Sequence, residues 1–196
     1  MAVPMPRPGS LTVAEFLGLD LDDRWRWELI DGEPVAHAAP RPAHGRLQAR
    51  LARFLGNRLD DLNAAHGTDC LPVTEAGVPT PLDPDHNFRV ADLAVTCEPH
   101  DPDDPFTRSP ILLVEILSPG EEPRQRAKLQ MFAALPSVRE ILFLDSLAVR
   151  AELHRRARDG SWPSRPVVLG DGDTLTLETV GLEVALASLY AGLNLP

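Results

Sequence analysis

Residues 111–117 read Ile-Leu-Leu-Val-Glu-Ile-Leu, with six of the seven positions apolar. A run of that length predicts a strand buried on both faces. Similar runs predict strands over 71–78, 90–97 and 140–145, with further strands over 148–155 and 174–178. A tight turn near Asp145 and Ser146 joins the strands at 140–145 and 148–155. Leu47, Leu51, Phe54, Leu55 and Leu62 recur at helical spacing and predict a long helix over 41–62. Thr12 and Glu15 have capping-box spacing at the start of a short helix. The segment 24–37 is a hairpin candidate around Asp31-Gly32, a pair that tolerates the positive φ of tight turns. A helix over 123–135 has Pro123 in its first turn, and a closing helix is expected over 182–193. The pattern predicts an α/β (α+β) protein: an N-terminal helix and hairpin, then a mixed sheet flanked by helices.

Composition narrows the class. No stretch approaches the ~20 apolar residues needed to cross a bilayer. The first residues, MAVPMPRPGS, lack the charged and apolar regions of a secretory signal. Two cysteines, Cys70 and Cys97, are too few for a disulfide framework, so reduced thiols and a cytoplasmic location are expected. The first ten residues are expected to be a flexible segment before one domain over 11–196. The net charge of −10 gives no global attraction for nucleic acid, so binding one requires a local basic patch. The stretch 34–59 offers one, with five arginines and no acid. Arg46, Arg50 and Arg53 form a helical stripe, suited either to phosphate contact or to an ordinary solvated face. Arg58 falls toward the apolar side and is expected to snorkel.

Two acids stand where packing alone asks for Val or Leu. Glu115 interrupts the run at 111–117, and Asp92 interrupts Val-Ala-Asp-Leu-Ala-Val at 90–95. A buried carboxylate needs a partner. If the two strands are neighbours the acids repel unless a cation lies between them, and hard oxygen ligands suit Mg2+ or Mn2+. The other reading is a buried acid satisfied by arginine. Of 19 basic residues only Lys128 is lysine; it lies 13 residues after Glu115, in the predicted helix. It is either a surface lysine or one returned over the strand's end. A metal, two acids and a lysine are the parts for phosphodiester hydrolysis.

In order, WELIDGE, VADLAV, LLVEILSP, a lysine in the following helix and SVREILFLD resemble the Uma-type endonucleases of the PD-(D/E)XK restriction-endonuclease-like superfamily. The resemblance implies a restriction-endonuclease-like fold and a metal-dependent endonuclease acting on DNA. It implies Asp92, Glu115 and the main-chain carbonyl of Ile116 as metal ligands, with Lys128 as catalytic lysine. Glu28 matches a recurrent family glutamate and joins the site on the same basis. The superfamily's lysine stands two residues after the glutamate, where this chain has Leu117. That departure supports the alternative of a catalytically silent, nuclease-like module that binds nucleic acid or protein. A homodimer follows only by analogy. His44 resembles a family histidine, with capping or surface polarity as its expected role. The remaining histidines lack zinc-ligand spacing, and 83–87 fails as a calcium loop because Phe88 replaces the turn glycine.

Overall fold

The computed structural model describes residues 9–38, 40–99, 101–118 and 122–195, excluding the side chains of 122–124. The expected flexible segment over 1–10 lies outside this description except for its last two residues.

Helix α1 (Val13–Leu17) carries the capping box in full: Glu15 N–H donates to Thr12 Oγ1, and Thr12 N–H donates to the Glu15 carboxylate. Strands β1 (Arg26–Ile30) and β2 (Glu33–His37) form the hairpin, with Asp31 and Gly32 both at positive φ. Helix α2 (Pro42–His66) buries His44, Leu47, Leu51, Leu55 and Leu59 on one stripe. Strands β3 (Leu71–Pro79), β4 (Phe88–Thr96) and β5 (Leu112–Leu117) follow, then α3 (Glu122–Ala133). Beyond it lie β6 (Glu140–Asp145), β7 (Ala151–Arg155), β8 (Val167–Leu169), β9 (Thr174–Leu177), β10 (Leu182–Ala185) and α4 (Leu186–Tyr190).

The main sheet runs β2-β1-β4-β5-β6-β7-β8, and β3 also pairs with β4. Among the described residues only β5 and β6 pair in parallel, because α3 carries the chain back between them. The sheet is therefore mixed, as expected. Alternate residues of β5 serve its two faces. Leu112, Val114 and Ile116 pack with the buried leucines of α2, while Leu113 packs with Phe132 and Met131 of α3. Both faces are covered, which is why the apolar run is nearly continuous.

Three expectations need correction. The segment 182–193 is not one helix: 182–185 form β10 against β9, and only 186–190 are helical. Its β-branched Val184 opposite Leu175 fits a pleated surface better than a helix stripe. The cysteines are joined by a disulfide, Cys70–Cys97. They flank the β3–β4 ladder just beyond Leu71 and Thr96, so antiparallel pairing alone brings them together. Arg58 does not reach outward past the helix end; its guanidinium lies against Gly181 and donates to Val180 O. Among the described residues no helix is long and apolar enough to cross a membrane.

Candidate active site

The β4–β5 register places Leu93 opposite Val114 and Ala94 opposite Leu113. Continuing it sets Asp92 opposite Glu115, with the parity of the face that packs on α3. The ladder stops there. In its place the Asp92 carboxylate accepts the Ile116 N–H at Oδ2, at 2.7 Å. The same device recurs one strand away. β1 meets β4 only at Leu29 and Phe88, and beyond that pair Glu28 Oε1 accepts the Val90 N–H at 3.0 Å. At each opening a carboxylate stands in for a ladder carbonyl, so the acids satisfy backbone donors that burial would otherwise strand.

Lys128 enters from α3. Its Nζ donates to Glu115 Oε1 at 2.7 Å and to Val90 O at 2.8 Å, and lies 3.3 Å from Glu28 Oε1. At 4% exposure it is no surface lysine. The acids and the lysine identified from sequence, Glu28, Asp92, Glu115 and Lys128, thus form one buried cluster. Leu117, where the superfamily keeps its lysine, packs among the apolar residues beneath α3.

Sequence alone did not assign the surrounding groups. His44 was expected to cap or face solvent, but it is 5% exposed and its Nε2 lies 3.1 Å from Asp92 Oδ2. Its place on the buried stripe of α2, one turn before Gln48, was the available signal. Gln48 donates to Asp92 O and to Glu75 Oε1, both at 2.8 Å. Arg26 donates to Asp92 Oδ1 at 2.8 Å, and the same nitrogen reaches Glu75 Oε2 at 3.1 Å. Arg89 and His37 approach Glu28 Oε2 at 3.2 and 3.1 Å. Arg26 lies two residues before Glu28 in the same strand, so period 2 puts both on one face. That was a legible hint.

The charges follow from these contacts. Burial works against the ionised form of Asp92, but His44, Arg26 and Lys128 outweigh it and hold its pKa at about 2. Glu28 is likewise held well below the carboxylate range despite burial, by His37, Lys128, the Val90 N–H and Arg89. Glu115 goes the other way. Burial, assisted by Asp92, pushes it up to about 8 against the pull of Lys128. Lys128 is raised: its burial is overcome by Glu115, Glu28 and Asp92. The cluster borders a cavity of about 340 Å3 whose lining includes Arg26, Arg41, His44, Asp92, Glu115 and Ile116.

Among the described residues no group of three His, Cys, Asp or Glu side chains is disposed to hold a metal ion. What the cavity offers is two opposed carboxylates beside a strand backbone. That set fits Mg2+, which commonly uses one or two carboxylates and completes its shell with water and substrate oxygens.

Arg46, Arg50 and Arg53 lie elsewhere, along a groove of about 360 Å3 between α2 and the C-terminal segment. Arg46 donates to Gly192 O at 3.3 Å and Arg50 to Ser188 O at 2.9 Å. Arg53 stacks over the Phe54 ring. Among the described residues no carboxylate lines this groove, and 186–196 contain no acidic side chain.

Comparison with known proteins agrees with this architecture. A sequence model of the Uma2 family, described as "Putative restriction endonuclease", matches residues 13–188. An uncharacterized protein of Synechocystis sp. is 29% identical over 196 residues, spanning 98% of this chain and 96% of that protein. A crystal structure from Anabaena variabilis, described as a putative nuclease belonging to DUF820, superposes with a TM-score of 0.68 at 16% identity. It covers 92% of this chain and 97% of that one, and so establishes a shared fold.

Proposed function

The chain belongs to the Uma2 family, and from that premise we propose that it is a divalent-metal-dependent endonuclease hydrolysing phosphodiester bonds of DNA. The observation that carries this reading is the opposition of Asp92 and Glu115 at the split between β4 and β5, with Lys128 buried against Glu115. Asp92, Glu115 and the carbonyl of Ile116 would hold Mg2+ or Mn2+. When bound, such an ion supplies Lewis-acid polarisation of a phosphate and a more acidic water.

The chain's own residues have separate tasks. Asp92 is kept ionised and oriented by the Ile116 N–H and by His44. With Asp92 ionised, His44 Nε2 is the donor in that contact. Lys128 is locked by Glu115, Glu28 and Val90 O, and so presents a fixed positive charge where phosphate charge develops. Glu28 positions Lys128 and satisfies Val90. Outside the cavity, Arg46, Arg50 and Arg53 provide a groove free of acids for the phosphate backbone, despite the net charge of −10.

Purified protein given Mg2+ or Mn2+ should nick or cut DNA, and Glu115→Gln should abolish that activity. Undiminished cleavage by the variant would overturn the assignment. One observation favours a second reading, a silent nuclease-like module: Glu28, Asp92 and Glu115 already have protein cations in Arg89, Arg26 and Lys128. DNA binding without cleavage, together with no response to Mn2+, would select it.

A further inference from the structure

Arg26 occupies a special position in the cluster. Asp92 Oδ2 is taken by the Ile116 N–H and His44, so Oδ1 is the oxygen that remains for a cation, and Arg26 holds it at 2.8 Å. Lys128, which also lines the cavity, is not free to yield. Lys128 is enclosed and bonded three ways, whereas the Arg26 side chain is 24% exposed. The same Arg26 nitrogen also reaches Glu75 Oε2 at 3.1 Å, and Glu75 lies at the rim with 44% of its side chain exposed.

Glu75 is built for that place. The β3–β4 register pairs Thr74 with Leu93 and Ala76 with Ala91, so Glu75 falls opposite Asp92. Its own rung is missing, and its φ is +49°, a left-handed conformation in mid-strand. For a non-glycine residue this conformation is strained and persists only where its surroundings enforce it. Gln48 does so, bonding both Glu75 Oε1 and the main-chain oxygen of Asp92.

We propose that Arg26 is a resident counter-cation which competes with the divalent metal for Asp92 Oδ1 and is handed wholly to Glu75 when the metal binds. This rests on the metal-dependent reading above. A metal ion and a guanidinium on one carboxylate repel, and Glu75 is already within reach of the displaced group. Once released from Asp92, the guanidinium stays at the cavity wall as a donor for substrate phosphate, a geometry arginine suits.

Calorimetric titration of the full-length protein with Mn2+, alongside thermal unfolding with chelator, tests the exchange. Arg26→Met should tighten Mn2+ binding about tenfold while lowering metal-free stability. Glu75→Gln, a change at the exposed rim, should weaken Mn2+ binding several-fold because Arg26 loses its alternative partner. Equal or weaker binding by Arg26→Met, or unchanged binding by Glu75→Gln, overturns the proposal. The Asp92→Asn arm keeps the two ideas apart. If wild type does not bind Mn2+, or if binding survives Asp92→Asn, the metal reading itself falls, and the exchange with it. If binding needs Asp92 but ignores Arg26 and Glu75, only the exchange falls.

Discussion

Lys128 of α3 donates to Glu115 of β5 at 2.7 Å inside a core where both are nearly inaccessible, at 4% exposure each. A buried pair of this kind is weak evidence of net stabilisation, but breaking it is costly because the remaining charge is left alone. Lys128→Met would leave Glu115 and Glu28 facing each other without their shared cation. Denaturant unfolding should show a loss of ~3–5 kcal/mol, part of which returns in the double variant with Glu115→Gln. A loss under ~1 kcal/mol would show that the pair is not coupled as the geometry indicates.

The opposite pKa displacements of Asp92 and Glu115 give opposite pH signatures. Asp92 is lowered from 3.8 to about 2, so its contribution is present above 3.8 and is lost as pH falls through about 2. That amounts to ~2 kcal/mol. Glu115 is raised from 4.5 to about 8, so its contribution is complete below 4.5 and is lost as pH rises through about 8. In chelator, urea midpoints of wild type should therefore fall between about pH 4.5 and pH 8, and Glu115→Gln should flatten that fall. An equally steep decline in the variant would assign it to another group.

The arginines of the second groove separate binding from stability. Arg50 donates to Ser188 O, so Arg50→Ala is expected to loosen the C-terminal helix as well as any DNA contact. Among the described residues Arg53 makes only its stacking contact with Phe54. Arg53→Ala should weaken DNA binding uniformly across sequences and reduce the slope of log affinity against log salt by about one, with the unfolding midpoint nearly unchanged. An unaltered salt slope would remove this groove from the DNA path.

The Cys70–Cys97 disulfide closes a sequence separation of 27 residues. Reduction, or Cys70→Ser with Cys97→Ser, should lower stability by about 3.5 kcal/mol on loop entropy. The β3–β4 register should survive, because it is held by a ladder from Leu71–Thr96 to Pro79–Phe88. Thiol titration under native and denaturing conditions checks the bond, and two free thiols in purified, unreduced protein would contradict it.

Much of this molecule was legible in the chain. Periodicity located α2 and strands β4 to β6, because burial on one stripe or on two faces leaves a repeating apolar signal. It failed at 182–193, where a short strand and a short helix share one apolar run. The anomaly of Glu115 and Asp92 inside apolar runs, and the isolation of Lys128 among arginines, were also visible without coordinates. Their roles were not. Sequence cannot show that β4 and β5 part at the rung of Asp92 and Glu115, since a missing rung depends on how two strands diverge. Nor can it show that Arg26 and His44 meet the Asp92 carboxylate while Gln48 and Glu75 hold the Asp92 carbonyl and Arg26 beside it, all four coming from three other elements. Residue type and spacing determined which groups were out of place in the core. The tertiary structure decided their partners, because hydrogen bonds and ion pairs act over a few ångströms and only folding brings distant residues that close.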